Sequence, residues 1–435
     1  MHAANASKSP AALEIFKNRD YTLYFIGQLV SQVGTWMQQI ALSWLTYKLT
    51  SSAFLLAVVG VSAQLPSLLV MPFAGVWADR VNRHRIVICT QIAAMVQAGI
   101  LAYLTLTHQA QIWHLIALGV MAGIINAVDM PVRSAFVVDL VKDKSKLPAA
   151  IAMNSSLMNV SRLLGPAIAG FVVAMVGEGM CFLFNAVSYV AVIIALLAIK
   201  GIAKIAPKRN KGSVMEELKS GIKYAATTTP IRVPILLLAT FGFGGMAYAM
   251  LMPVFVKQIG GDANTLGLLS SASALGSVVG TALLATRKSV IGMGRIALNS
   301  SFIYAVCLAI FAFAGNLWTA MLILPLLGAT MMLQMGCCNT ILQSVVDEDK
   351  RGRVMSLFTL AFMGTIPLGS LIAGAISNHF GFRAMVLSCA TYCLVVATIF
   401  ALKMPKYKKE TRPVYVQLGL LEAEEEMELI TKPAA

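Results

Sequence analysis

The sequence predicts an all-α polytopic membrane protein: twelve transmembrane helices in two six-helix pseudo-symmetric halves. Three observations carry this reading. The 435 residues are 58% hydrophobic and only 12% charged, with a mean hydropathy of +0.77, whereas a soluble chain carries about 25% charged residues. The apolar residues gather in twelve runs of about 20 residues or more, the length one helical crossing needs. The basic residues keep to one side. Of the 34 Lys and Arg, Lys48, Lys257 and Arg383 fall in the loops of one side and Arg133 and Arg162 lie within runs; all the others occupy the opposite loops and the two chain ends. By the positive-inside rule both termini are cytoplasmic. This composition excludes a soluble enzyme. It also excludes a β-barrel, whose strands alternate over about 10 residues. The formal charge of +15 is read as a topology signal, so no nucleic-acid partner is expected and the lipid bilayer is.

The runs lie near 21–47, 53–77, 86–106, 113–138, 149–176, 181–199, 233–256, 263–286, 296–314, 317–346, 354–377 and 383–402. Before them, 1–20 is a cytoplasmic arm without the apolar core of a cleaved signal peptide. Segments 21–199 and 233–402 form the two bundles, joined by a cytoplasmic linker, 200–232, whose VMEELKSGIKYA stretch is amphipathic and suits a helix at the membrane surface. The end of the chain, 403–435, with its EAEEEME stretch, is expected to be a solvated, disordered cytoplasmic tail. An internal repeat supports the division. Asp143, Lys146, Gly165, Gly170 and Gly177 recur at one constant offset as Asp347, Lys350, Gly369, Gly374 and Gly381, and duplicated six-helix halves are a transporter architecture. The seven cysteines show no metal-ligand spacing and are read as reduced packing residues.

The loop after the second run reads Gly75-Val-Trp-Ala-Asp79-Arg80-Val-Asn82-Arg83-His84-Arg85. Glycine allows close helix approach, and an acid here can pair with a guanidinium or face a helix N-terminus. The spacing of Gly75, Asp79 and Arg83 resembles the major facilitator superfamily signature between its second and third helices, with Asn82 in place of the second glycine. In run 5, Gly165-Pro166-Ala-Ile-Ala169-Gly170 resembles that superfamily's antiporter motif, with Ala169 for one glycine. The segments GTWMQQIALSWLTYKLT, PFAGVWADR, DMPVRSAFVVDLV and NSSLMNVSRLLGPAIAGF resemble the branch of bacterial exporters similar to the enterobactin exporter and related drug efflux transporters. The resemblance implies a monomer in the bacterial inner membrane, with the Asp79–Arg80–Arg83 cluster as a cytoplasmic gate. It further implies export by exchange for protons, and substrates that are siderophores first and antibiotics or other drugs second. The superfamily also contains lysophospholipid carriers.

Polar residues inside the runs are the candidates for a substrate path. On run 1, Gln28, Gln32, Thr35, Gln39, Ser43 and Thr46 fall within about 80° of arc at 100° per residue, with Trp36 at the edge. This stripe is either a water-accessible path or a set of interhelical hydrogen bonds. On run 4, Asn126, Asp129 and Arg133 share a face, as do Ser155, Asn159 and Arg162 on run 5. A charge within a span costs about 2.5–3.5 kcal/mol on insertion scales, so these groups must pair or face water. Asp129 is a proton carrier, a permanent partner of Arg133, or part of the gate near Arg83. Arg162 is a contact for an anionic substrate or a structural partner, Asp129 being one choice. Tyr248, Ser270, Ser273, Gln334 and Asn339 are candidates for the second half. No phosphate loop and neither H-E-x-x-H nor G-x-S-x-G is present, so no cofactor, metal or catalytic residue is expected. The reading is a secondary active exporter of an amphiphilic organic molecule; an intramembrane enzyme and a membrane-embedded sensor are the rivals.

Overall fold

The computed structural model describes residues 14–78, 82–141, 143–199, 214–287, 289–348 and 350–419, and the side chains of all of these except 72–78, 144 and 214–220. Their regular structure is entirely helical. The first half gives α1 (Arg19–Thr50), α2 (Ala53–Ala78), α3 (Arg83–Leu106), α4 (Ile112–Leu140), α5 (Leu147–Val176) and α6 (Glu178–Ala198). The amphipathic stretch of the linker is α7 (Val214–Thr227). Then come α8 (Thr229–Gly245), the short α9 (Ala247–Met250) and α10 (Met252–Gln258), α11 (Ala263–Ala285), α12 (Met293–Phe311), α13 (Leu317–Val345), α14 (Arg351–Phe380) and α15 (Phe382–Gln417). The polar residues between runs cap these helices. Asn18 accepts from the Asp20 and Tyr21 amides at the start of α1, and Asn82 accepts from the Arg85 amide at the start of α3. Each satisfies donors that a helix N-terminus leaves open.

Eleven stretches among the described residues are long and apolar enough to cross a membrane. The remaining expected span, α1, has the length but not the hydropathy, because Gln28, Ser31, Gln32, Gln38 and Gln39 sit along it.

Two expectations need correction. The run near 233–256 is not one helix: it breaks at Met246 and again at Leu251. Inside a membrane such a break is tolerated where protein re-satisfies the backbone. Here the Tyr304 hydroxyl, fully buried, donates to the Gly245 carbonyl. The tail also differs. Residues 403–417, expected to be disordered, continue α15, with Tyr407 and Thr411 buried and Lys406 facing Glu410 one turn on at 3.8 Å. Hydropathy marks where a helix leaves the apolar slab, not where it ends. The EAEEEME stretch lies outside the described residues.

Contacts group the chain into two compact units, Met1–Asn210 with Met250–Ala274, and Lys211–Ala249 with Leu275–Ala435. Residues 250–274, assigned from sequence to the 233–402 bundle, thus pack with the first unit. Within that unit α1 packs on α5 and α6, α3 on α4 and α6, and α2 on α4. The second unit has the matching pairs: α8 on α14 and α15, and α12 on α13 and α15. The latter half of α11 completes the set against α13, where the Ser277 hydroxyl reaches the Gly328 carbonyl at 3.4 Å.

The sequence repeat reappears in the backbone. Gly177 and Gly381 end α5 and α14 with φ of +86° and +87°, a left-handed conformation that glycine adopts without steric cost. Just before those helices, Lys146 and Lys350 each donate their amide to the carbonyl of Asp143 and Asp347 at 3.0 Å. Hydrogen bonds from Ser145 at Asp143, and from Lys350 and Tyr224 at Asp347, hold both carboxyls below the usual carboxylate range. Gly165 and Gly369 each sit where α5 and α14 press on α1 and α8: a Cβ on Gly165 would lie 3.1 Å from the Val33 carbonyl, and one on Gly369 would overlap the Phe243 carbonyl oxygen. Gly369→Ala is therefore expected to lower the thermal midpoint of the purified protein. Gly352→Ala in the same helix, where a Cβ meets nothing within 4 Å, is expected not to lower it, since alanine is favoured over glycine by about 1 kcal/mol in a helix. Unfolding followed by size-exclusion fluorescence checks the pair.

Candidate functional site

The candidate residues on α1, α4 and α5 all fall in the first unit. At their centre is Asp129, which is 4% exposed. One carboxylate oxygen accepts from the Thr90 hydroxyl at 2.7 Å and from the Gln91 amide at 2.9 Å, both on α3. The other lies 3.3 Å from Arg133 Nε one turn along α4. Arg133 then reaches α1 through Nη1, donating to Gln28 Oε1 at 3.0 Å and Gln32 Oε1 at 3.4 Å. One ion pair thus ties three helices together. Of the alternatives the sequence leaves open, the partner of Asp129 is Arg133, not Arg162.

The polar stripe of α1 is divided along its length. Gln28 and Gln32 are buried in the network, and Gln32 also turns its amide toward Met158 on α5. Thr35 meets the Tyr189 hydroxyl of α6 at 3.2 Å, while Gln39 is exposed. At that level the interhelical contact is made instead by Gln38, which donates to Gln97 on α3 at 3.1 Å and accepts from Asn185 on α6 at 2.8 Å. Two buried polar groups beside the ion pair, Gln28 Nε2 and the Tyr24 hydroxyl, have no hydrogen-bond partner. Leaving such a group unmet costs about 1–3 kcal/mol, and each is a position where an ordered water would be held.

A second constellation lies where α5 crosses α1. Gly165 rests on Val33 and on the Trp36 side chain. One turn before it, the Arg162 guanidinium stands 5.9 Å from the centre of the Trp36 ring, a cation–π arrangement. Pro166 lacks the amide that would close the helix behind it. Ser271, in the first half of α11, donates to the neighbouring Leu163 carbonyl at 2.9 Å. Gly170 lies against Ala263 and Asn264 of the same segment, so a Cβ there would come within 2.9 Å of backbone. Asn126 and Asn159 stay outside these networks; Asn126 is exposed, and Asn159 bonds its own helix at the Ser155 carbonyl.

The gate motif is described only in part. Asp79 and Arg80 lie outside the described residues, as do the side chains around Gly75. Arg83 is described, and its Nη1 lies 3.1 Å from both oxygens of Asp139 at the end of α4. The adjacent His84 stacks on Phe136 and bonds the Leu196 carbonyl at 2.8 Å.

In the second unit, Tyr248 is buried against Tyr304 and Phe311, and Gln334 is fully buried. Asn339 accepts from Gln343 one turn on. Ser270 and Ser273, on the α11 segment that packs with the first unit, are half-buried. Sequence reasoning missed Thr90, Gln91, Gln38, Gln97 and Asn185. Gln91 and Gln97 are buried amides within an apolar run, and that alone marks them as groups needing partners.

An ionisable pair inside apolar helices marks a candidate functional site in a membrane protein. The family model described as "Transmembrane secretion effector" matches residues 9–424. The Staphyloferrin A transporter of Staphylococcus aureus is 27% identical over 89% of this chain and 97% of its own length. The multidrug efflux pump Tap of Mycolicibacterium fortuitum is 20% identical over 89% and 96%. Among solved structures, a bacterial homologue of the iron transporter ferroportin in an inward-facing state shares the fold with a TM-score of 0.69 at 18% identity, over 88% of this chain and 98% of that one. The chain is therefore a multi-pass membrane transporter that belongs to the transmembrane secretion effector family of the major facilitator superfamily.

Proposed function

We propose that the protein exports an amphiphilic organic molecule, a siderophore first, from the cytoplasm by alternating access in exchange for protons. The observation that carries the siderophore class is the near full-length similarity to the Staphyloferrin A transporter. The lower similarity to Tap supports a second reading, multidrug efflux. Export as the direction rests on Gly165, Pro166 and Gly170. Gly75, Asp79, Arg80 and Arg83 form the cytoplasmic gate, with Asp139 as the carboxylate that holds Arg83. The protein acts as a monomer in the bacterial inner membrane, with both termini in the cytoplasm.

In this reading Asp129 carries the proton. Protonation removes the charge that faces Arg133 Nε and frees a guanidinium already shared with Gln28 and Gln32. Gln28 Nε2 and the Tyr24 hydroxyl offer water sites beside it. The anionic end of the substrate meets Arg162, whose guanidinium Trp36 keeps close to the α1–α5 crossing, and Asn126, Asn159 and Gln39 supply polar contacts along the path.

Two measurements in everted membrane vesicles test this. Asp129→Asn is expected to abolish the stimulation of substrate uptake by an imposed proton gradient, a loss of about tenfold or more in the stimulated rate, equal to about 1.4 kcal/mol of activation free energy. Retained gradient dependence in a correctly folded variant overturns the carrier role. Arg162→Gln is expected to reduce uptake of staphyloferrin A about tenfold, while uptake of a cationic dye falls less than twofold, the contrast expected of a lost charge-assisted contact. Equal losses identify Arg162 as packing, and uptake of the dye alone by the unaltered protein favours multidrug efflux.

A further inference from the structure

The second unit contains a cavity of about 330 Å3 at one end of its helices, bordered by α8, α12, α13 and α15. Its body is apolar, built from Pro234, Leu237, Leu298, Cys338, Ile341 and Phe400. Leu236 and Ile399 also line it and are 49% and 45% exposed, so the cavity opens along an apolar surface instead of closing inside the unit. Its mouth is basic. Arg232, in the first turn of α8, and Lys403, where α15 leaves its apolar stretch, both line it and are exposed.

Three further features gather at the same end. Arg232 gives N–H groups to the Ala226 carbonyl at 3.2 Å and the Thr229 hydroxyl at 3.5 Å, two of the five donors a guanidinium carries. Gly294, in the first turn of α12, lines the cavity, and the N-cap of that helix, Gly292, offers no side chain; the Met293 and Arg295 amides are taken by the Val290 and Gly292 carbonyls, so this helix end offers an anion the positive end of its dipole. Tyr407 lines the cavity too and is 7% exposed. Its hydroxyl lies near those of Thr411 and Tyr415 but outside hydrogen-bond geometry. Beyond the mouth, Lys406, Lys408, Lys409 and Arg412 follow on α15, the kind of basic cluster that anionic leaflets attract.

An apolar slot with cations and unused donors at one end is the complement of an acyl chain carrying an anionic headgroup. We infer that this cavity is a binding site for an anionic phospholipid of the surrounding bilayer, one acyl chain lying among Leu237, Leu298 and Phe400 and the phosphate held by Arg232 and Lys403. None of the residues lining the cavity belongs to the ion-pair network of the first unit.

Native mass spectrometry of the purified full chain, exchanged into detergent with phosphatidylglycerol or phosphatidylcholine, tests the assignment. Phosphatidylglycerol adducts are expected to survive activation that strips phosphatidylcholine. The double variant Arg232→Gln, Lys403→Gln, confined to exposed side chains, is expected to cut that retention about fivefold, to the phosphatidylcholine level. The variant Lys408→Gln, Lys409→Gln removes the same charge outside the cavity and is expected to keep it. Glycerophosphoglycerol, the headgroup without chains, is expected not to displace the bound lipid. The inference is overturned if the two double variants lose retention equally, which is diffuse attraction, if Arg232→Gln, Lys403→Gln binds as before, or if the chainless headgroup competes, which is a free-anion site.

Discussion

A carboxylate and a guanidinium inside one membrane helix set the terms for the first unit. Asp129 and Arg133 satisfy each other one turn apart, but a carboxylate has more lone pairs, and a guanidinium more donors, than one contact uses. Removing one partner of a buried pair typically costs about 3–5 kcal/mol, so the neighbouring helices must complete the set. Thr90 and Gln91 on α3 and Gln28 and Gln32 on α1 do so. Gln28 and Gln32, two of the polar residues that keep α1 from reading as an ordinary span, answer this requirement. The same bonds fix the rotation of α1 and α3 about their axes, because amides of such short reach tolerate little misplacement.

The helix ends were legible because lipid demands uninterrupted apolar length, and loop residues such as Asn18 and Asn82 double as caps. The duplication was legible because Gly177 and Gly381 occupy backbone conformations that other residues enter only with strain. The stripe on α1 was legible as a polar face but not as a set of bonds. A helical wheel gives the direction of a side chain relative to its own axis, whereas the partner is decided by which helix lies there at that height. Gln28 and Gln32 therefore meet Arg133, Gln39 on the same stripe is exposed, and the adjacent Gln38, well off the stripe, carries the contact to α3 and α6. The break at Met246 and Leu251 and the helical run to Gln417 were hidden for a related reason. Hydropathy averages over a window and is blind both to a local break whose carbonyl is capped from elsewhere, as Tyr304 caps Gly245, and to helix that continues in water.

The Gly165-Pro166 step joins close packing to a missing rung of the hydrogen-bond ladder in one helix. Glycine lets α5 approach α1 until the Trp36 side chain rests on it, and the Trp36 ring faces the Arg162 guanidinium one turn earlier. Proline in a helix interior would cost about 3 kcal/mol or more if the carbonyls it strands stayed unmet. The carbonyl stranded by Pro166 is that of Arg162, four residues back; the Ser271 hydroxyl donates to the next one, Leu163, at 2.9 Å. The charged pair of α4 and the Gly165-Pro166 step of α5 both contact α1, through Gln28 and Gln32 at one level and through Val33 and Trp36 one turn further along. α1 is therefore the element that touches both the Asp129–Arg133 pair and, through Trp36, Arg162.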